Sequence, residues 1–314
     1  MKCLWAAALV AACTSATSAI RAEQIRLVVP FAAGGPVDLV ARTIAAELPA
    51  HLHADVIVEN RAGGGGVIGT ELVAKSAPDG KTLLQASLGS HVLSAALRPQ
   101  LGYDPIRSFA PIVLEGAVPL VLVVNAQSKI GSLAELVAAA KRSPMSYGSA
   151  GPGSAMNIAG ELFNAGAGIK TTHVPYRGAG PALSDLLGGH VDIVVADTPV
   201  LVPLVNSNAA RALALLAGQR SPLLPNVATT AELGYPDVVL ENWYGVLAPA
   251  GIAPPMRAMI EKAILEVLAI PTVQERLAAG GLQGARDGEG FRTKLAGDVA
   301  YWGPQVKKLG ISAE

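Results

Sequence analysis

From Gln24 onward, short runs rich in β-branched residues alternate with stretches whose apolar positions recur every three or four residues, and turns containing Gly or Pro separate them. A period of two lines one face of a strand and a period of 3.6 lines one stripe of a helix, so the alternation predicts layered α/β architecture. Residues 25–30 read as a strand. Val37, Val40, Ala41, Ile44, Ala45 and Leu48 then form one apolar helical face, which Pro49 is expected to stop. A strand over 55–59, a helix over 67–75, a Pro78-Asp79-Gly80 turn and a strand over 82–86 complete a β-α-β-α-β unit.

A second unit follows the apolar stretch 116–124, which contains Pro119, stops at Asn125 and reads as a buried strand centred on 120–124. Ser132 and Glu135 have the spacing of a capping box for a helix that runs to Arg142, ahead of Pro144. A strand over 146–148, a helix over 154–165, a strand over 172–174, a helix over 181–187 and strands over 193–196 and 212–216 complete this unit. The last third offers one strand, 243–247, then a Pro-rich stretch and helices over 256–268, 271–279 and 290–308, with Pro255 suited to a first helical turn. Helices with one strand cannot close an α/β domain of their own, so this third is expected to pack back on the first unit. The expected organisation is a discontinuous first domain, 23–125 plus 222–314, and a second domain, 126–221, joined by two or three crossovers that act as a hinge.

Composition narrows the function. The 314 residues leave room for two domains. Hydrophobic residues make up 51% and the mean hydropathy is +0.42, yet past residue 22 no apolar run approaches the ~18 residues of a spanning helix. Lys plus Arg number 24 and Asp plus Glu number 24, so no global field draws the chain to nucleic acid or anionic lipid. Residues 1–22 carry Lys2, an apolar stretch over 4–12 and then small residues, the layout of a secretory signal cleaved after Ala19 or Ala22. Both cysteines, Cys3 and Cys13, lie in this leader, which leaves a processed chain no thiol for a disulfide, a metal site or a nucleophile. Val10-Ala11-Ala12-Cys13 also reads as a loose lipobox, with Cys13 as a lipid anchor. Either reading implies export and a periplasmic location.

Several segments imitate catalytic motifs. Gly64-Gly65-Gly66-Val67-Ile68-Gly69 satisfies G-x-G-x-x-G, but no acidic residue ends the next strand; Asp79 lies in the turn before it, so a tight turn with close backbone approach fits better than a dinucleotide site. Gly80-Lys81-Thr82 lacks the upstream glycine of a Walker A loop and reads as a hairpin turn. Ser149 is preceded by Tyr147, which breaks G-x-S-x-G. His51, His53, His91, His173 and His190 fall in separate segments without metal-binding spacing, so neither metal nor cofactor nor enzyme activity is expected.

The stronger signal is one device used twice, a strand running into a glycine-rich turn that opens a helix. The first copy spans Phe31-Ala32-Ala33-Gly34-Gly35 with Asp38 one turn into the helix; the second spans Ser149, Gly151, Gly153 and Ser154. A helix N-terminus presents unpaired N–H groups and about half a positive charge, so such turns bind anions without Lys or Arg. Taken as pattern alone, both segments also fit ordinary tight turns.

At these residues the chain resembles the Bug receptors, periplasmic substrate-binding proteins of tripartite tricarboxylate transporters. VPFAAGGPVDLVAR, ENRAGGGGVIGT, the stretch from Tyr147 to Ser154, HVPYRGAGPALSDLLGGHVD and NWYGVLAPAGIAPP resemble family segments in order. The resemblance implies a two-domain α/β fold like type II periplasmic binding proteins, each domain a mixed β-sheet flanked by helices, with the ligand cleft between domains. It also implies that backbone groups of the two loops hold a ligand carboxylate, carried here onto Phe31, Ala32, Ala33, Gly34, Gly35, Ser149, Gly151, Gly153 and Ser154. Asp38 matches the family's acidic residue and serves either the ligand or the helix dipole. Tyr176 and Asp197 follow second-domain strands and are expected to line the cleft, while the roles of Arg177 and Trp243 stay open. The expectation is a monomeric receptor that delivers a small carboxylate solute to membrane permease subunits. An orphan sensor for a periplasmic signalling partner, and less so an exported hydrolase, are the competing readings.

Overall fold

The computed structural model describes residues 24–98 and 100–311. The predicted leader, its two cysteines and the cleavage sites lie outside the described residues. In chain order the first lobe runs β1 (Gln24–Val29), α1 (Pro36–Ala45), α2 (Leu48–Leu52), β2 (Asp55–Asn60), a 3-10 turn (Gly64–Gly66), α3 (Val67–Ala74), β3 (Thr82–Ser87), a π-helical turn (Leu88–Leu93) and α4 (Ser94–Leu97). The long strand β4 (Phe109–Asn125) leads into the second lobe: α5 (Leu133–Arg142), β5 (Ser146–Ser149), α6 (Ala155–Ala167), β6 (Thr172–Pro175), α7 (Ala179–Leu187), β7 (Ile193–Asp197), α8 (Thr198–Asn206) and β8 (Ala210–Leu215). The chain then returns through β9 (Glu241–Pro249) to α9 (Pro254–Leu268), α10 (Pro271–Ala279) and α11 (Gly288–Lys308).

One strand joins the two lobes. The sheet order is β2-β1-β3-β9-β4-β7-β5-β6, with β8 also on β4. Residues 109–119 of β4 pair antiparallel with β9, whereas 120–123 pair with β7 and 121–125 with β8. The exchange of partners falls at Pro119–Leu120, where proline lacks the N–H that a continuous ladder needs. Pro119 therefore marks a change of neighbours and does not break the strand. The sequence pattern recognised only the second half of β4, because Pro111, Gly116 and two register shifts obscure the first. Both faces are covered: Leu120, Leu122 and Val124 join one apolar cluster and Val121 and Val123 the other, all fully buried. Helices pack on both sides of the sheet, which is why these strands read as unbroken apolar runs.

Local expectations are corrected at three places. Pro49 does not end the helical stretch; it sits in the first turn of α2, where a missing N–H costs nothing. Ser132 Oγ accepts the Glu135 N–H at 3.2 Å, but Glu135 reaches back to the Gly131 N–H at 2.6 Å, so the capping box is only half formed. The Gly80 turn joins α3 to β3, which runs parallel to β1, and is not a hairpin. Trp243, fully buried on β9, donates from Nε1 to Asp298 Oδ2 at 2.7 Å and meets the Phe291 ring edge-on, pinning α11 to the first lobe's sheet.

Candidate ligand-binding site

Four strand-to-helix turns converge between the lobes. Gly35 caps α1 after β1, Ser154 caps α6 after β5, Gly178 caps α7 after β6, and Asp197 caps α8 after β7. A cavity of about 20 Å³, close to the space of one water, lies where they meet. The first loop contributes Phe31, Gly35, Pro36 and Val37, and the second contributes Ala150, Ser154, Ala155 and Met156. Ala179 and Asp197 bring the starts of α7 and α8, and Ser87 and Asn242 complete the wall from β3 and β9. No lysine or arginine lines the cavity among the described residues. Its positive potential comes from helix ends alone, about half a charge each.

The first loop is shaped from behind. Asp38 Oδ2 accepts the Gly34 N–H at 3.0 Å and Arg42 Nε at 2.9 Å, while Asn60 Nδ2 donates to Asp38 Oδ1 at 2.9 Å and to the Phe31 carbonyl at 3.0 Å. Burial pushes the Asp38 pKa up, but hydrogen bonds from Arg42, Gly34 and Asn60 outweigh it and hold the carboxyl below its ordinary range. Asp38 is therefore an ionised brace that folds the loop and does not line the cavity. Gly34 has φ +81°, which suits glycine there. Gly34 and Ala33 are exposed, and the Ala32 N–H donates across the lobes to the Arg177 carbonyl at 3.1 Å. Arg177 thus contributes its backbone.

The second loop is built the same way. Asn157 Oδ1 accepts the Gly153 N–H at 2.9 Å, and Ser154 Oγ accepts the Asn157 N–H at 3.2 Å. Gly151 and Gly153 hold φ of +103° and +84°. Ser149 lies beneath the loop, fully buried, with Oγ accepting the Gly151 N–H at 3.1 Å and 2.6 Å from His173 Nε2. The sequence placed its histidines in unrelated segments, yet neighbouring strands β5 and β6 bring this Ser–His pair together. Burial pushes the His173 pKa down, against the pull of Glu161, so the ring is a neutral partner that orients the hydroxyl. Ser149 shapes the turn and does not line the cavity. Tyr176 does not line it either; its hydroxyl donates to Asp185 at 2.5 Å.

The cleft is shut by direct contacts between lobes. Arg98 Nη2 donates to the Pro152 carbonyl at 3.2 Å, and Asn242 Nδ2 donates to Asp197 Oδ2 at 3.2 Å. The glycine-rich turn that imitates a dinucleotide motif serves this closure at Gly65, which lies against the Pro152 carbonyl of the other lobe; Gly66 lies against Ser90 of its own lobe, and a side chain at either position would collide with neighbouring backbone. Asp197 is 3% exposed, and burial pushes its carboxyl up to about 6, opposed mainly by the Asn242 hydrogen bond.

Of the residues expected from sequence, the structure gathers Phe31, Gly35, Ser154 and Asp197 around one cavity and places Ala32, Gly151 and Gly153 at the contact of the lobes. The pattern missed the N-termini of α7 and α8 as parts of the site. Both carried a signal, since Tyr176-Arg177-Gly178-Ala179 repeats the strand-turn-helix device and Asp197-Thr198-Pro199 is a helix start by its cap and proline. Asn242 opens the NWYGVLAPAGIAPP segment but was given no site role there, and Ser87, a polar residue ending a buried strand, had no motif to announce it.

Comparison with known proteins agrees with this geometry. Residues 40–311 match the model of the tripartite tricarboxylate transporter family receptors. Protein BugT of Bordetella pertussis is 38% identical over 293 residues, covering 92% of this chain and 90% of its own. The structure of the periplasmic binding protein BugD superposes with a TM-score of 0.88 at 33% identity, covering 92% of this chain and 98% of BugD. MatC from Rhodopseudomonas palustris, solved with bound malate, gives 0.85 at 32% identity, covering 90% of this chain and 98% of MatC. The chain therefore belongs to the tripartite tricarboxylate transporter receptor family and is a solute-binding receptor.

Proposed function

We propose that this receptor captures a small carboxylate between its lobes in the periplasm and presents it, as a monomer without enzymatic activity, to the permease subunits of a tripartite tricarboxylate-type transporter. The convergence of four helix N-termini on one buried cavity without a basic side chain carries the reading. One helix end contributes ~0.3 to 1 kcal/mol, up to ~2 when partly buried, while micromolar affinity needs about 8 kcal/mol. Four ends together, with hydrogen bonds from the loops and desolvation on closure, reach that range. The exchange of partners along β4 supports lobes of 23–125 plus 222–314 and 126–221, with β4 and the return to β9 as the hinge. The ligand carboxylate is held by the Phe31–Gly35 and Ser149–Ser154 loops, with Asp197 on the wall.

Native mass spectrometry of the protein as purified, followed by a thermal-shift screen of carboxylates, tests this. The expected result is one carboxylate bound per chain, recovered intact, with Tm raised as ligand is added. Turnover of an ester or amide, or no shift with any carboxylate, would refute it.

A further inference from the structure

Asp197 and Asn242 line the cavity at 3% and 2% exposure. Asn242 Nδ2 is committed to Asp197 Oδ2, which leaves Asp197 Oδ1 and Asn242 Oδ1 as buried acceptors without a hydrogen-bond partner. A buried polar atom left in that state costs about 1–3 kcal/mol. The Ser87 hydroxyl is engaged with Ser90, accepting its N–H at 3.2 Å and lying 3.2 Å from its Oγ. The Tyr244 hydroxyl, beside Asp197, is itself buried without a hydrogen-bond partner, and its single hydrogen can serve only one of the two oxygens. At least one acceptor remains for whatever occupies the cleft. An ionised carboxylate has no hydrogen to offer it, and the helix ends already suit that group.

We infer that Asp197 and Asn242 are specificity residues, which select among small carboxylates those carrying a hydrogen-bond donor, a hydroxyl or an ammonium, on the carbon next to the carboxylate. The inference rests on the receptor reading above and narrows it to a substrate class. The starts of α1, α6 and α7 hold the carboxylate, and Asp197 with Asn242 reads the neighbouring donor. Helix ends and acceptors line the same cavity, which widens to admit a ligand, so they face neighbouring atoms of it. A site built around a polar contact rejects the analogue that lacks it far more strongly than an apolar pocket rejects a size change.

Calorimetric titration of the whole protein with succinate, malate and aspartate tests this, since the three differ at one carbon by hydrogen, hydroxyl and ammonium. Malate or aspartate is expected to bind at least tenfold more tightly than succinate, about 1.4 kcal/mol, and the two arms tell which donor is read. In Asp197→Leu and Asn242→Leu, which remove acceptors at similar volume, that advantage is expected to fall below threefold; both variants also lose the Asn242–Asp197 contact between the lobes, so affinity for all three falls together and the ratio between ligands is the readout. Equal affinity for all three in the unmodified protein, or an advantage that survives both substitutions, overturns the inference and leaves the receptor reading intact. Binding of none of the three also overturns it, and the wider carboxylate screen then decides the receptor reading separately. The comparison in the unmodified protein stands even if a variant does not fold.

Discussion

Gly153 tests the closure of the lobes. It adopts φ +84°, and a Cβ built there would lie 2.9 Å from both Cα and Oγ of Ser94 and 3.2 Å from Arg98 Nη1, all on the opposite lobe. Ordinary contacts begin near 3.4 Å, so Gly153→Val must push the lobes about half an ångström apart before its two methyls are counted. The Arg98–Pro152 hydrogen bond is already 3.2 Å long and does not survive that shift. A hydrogen bond from a charged donor is worth ~1.5–3 kcal/mol, so its loss weakens closure, and with it ligand affinity, about 10- to 150-fold. The left-handed backbone adds a local cost of ~1–2 kcal/mol that is unrelated to closure. Gly168 at the end of α6 supplies the control, with φ +60° and open space around it. Gly168→Val carries the backbone cost without a cross-lobe collision. Calorimetry on any carboxylate the unmodified protein binds should show the loss in Gly153→Val only, with similar falls in Tm for both variants. Affinity within twofold of the control would remove the second loop from the closure.

Other perturbations separate the remaining contributions. Asn60→Ala removes the amide that ties Asp38 to the Phe31 carbonyl; ligand affinity should drop about tenfold, as for a disordered loop, and an unchanged titration would show that the brace is dispensable. Because the cavity lacks basic side chains, raising NaCl from about 0.05 to 0.5 M should weaken binding less than about threefold, and a steep dependence would implicate Arg98 or the Arg177 side chain instead. Glu115, buried at the β4 bulge and hydrogen-bonded by Gln85, is pushed by burial up to about 8 from an ordinary 4.5. A value raised in the folded state means that the folded protein holds this proton more tightly. Its contribution is complete below pH 4.5 and is lost as pH rises through 8. Glu115→Gln should match the unmodified protein near pH 5 and exceed its stability at pH 9 by a few kcal/mol, on the order of 1.4 per pH unit; parallel Tm profiles would contradict the assignment.

The first loop illustrates how far the pattern of residues reached. Val29-Pro30 into Gly34-Gly35-Pro36 announces a strand, a turn needing positive φ and a helix start, and each appears where expected. Those are local matters, settled by sterics and by the period of the apolar positions. The role of Asp38 was not legible, because its partners Gly34 and Arg42 are near in sequence but Asn60 arrives only when β2 pairs with β1.

The same division holds for the whole site. Residue order alone prescribed alternating strands and helices, the anion-suited turns and the absence of a basic cluster, since propensity, capping and charge act within a few positions of the chain. Which turns meet, that α7 and α8 join α1 and α6, and that Asp197 and Asn242 share a cavity wall depend on β4 passing from one lobe to the other. Asp197 and Asn242 stand 45 residues apart and Ser149 and His173 stand 24 apart. No local period relates them, and only the hydrogen-bonded order of the strands brings them within reach.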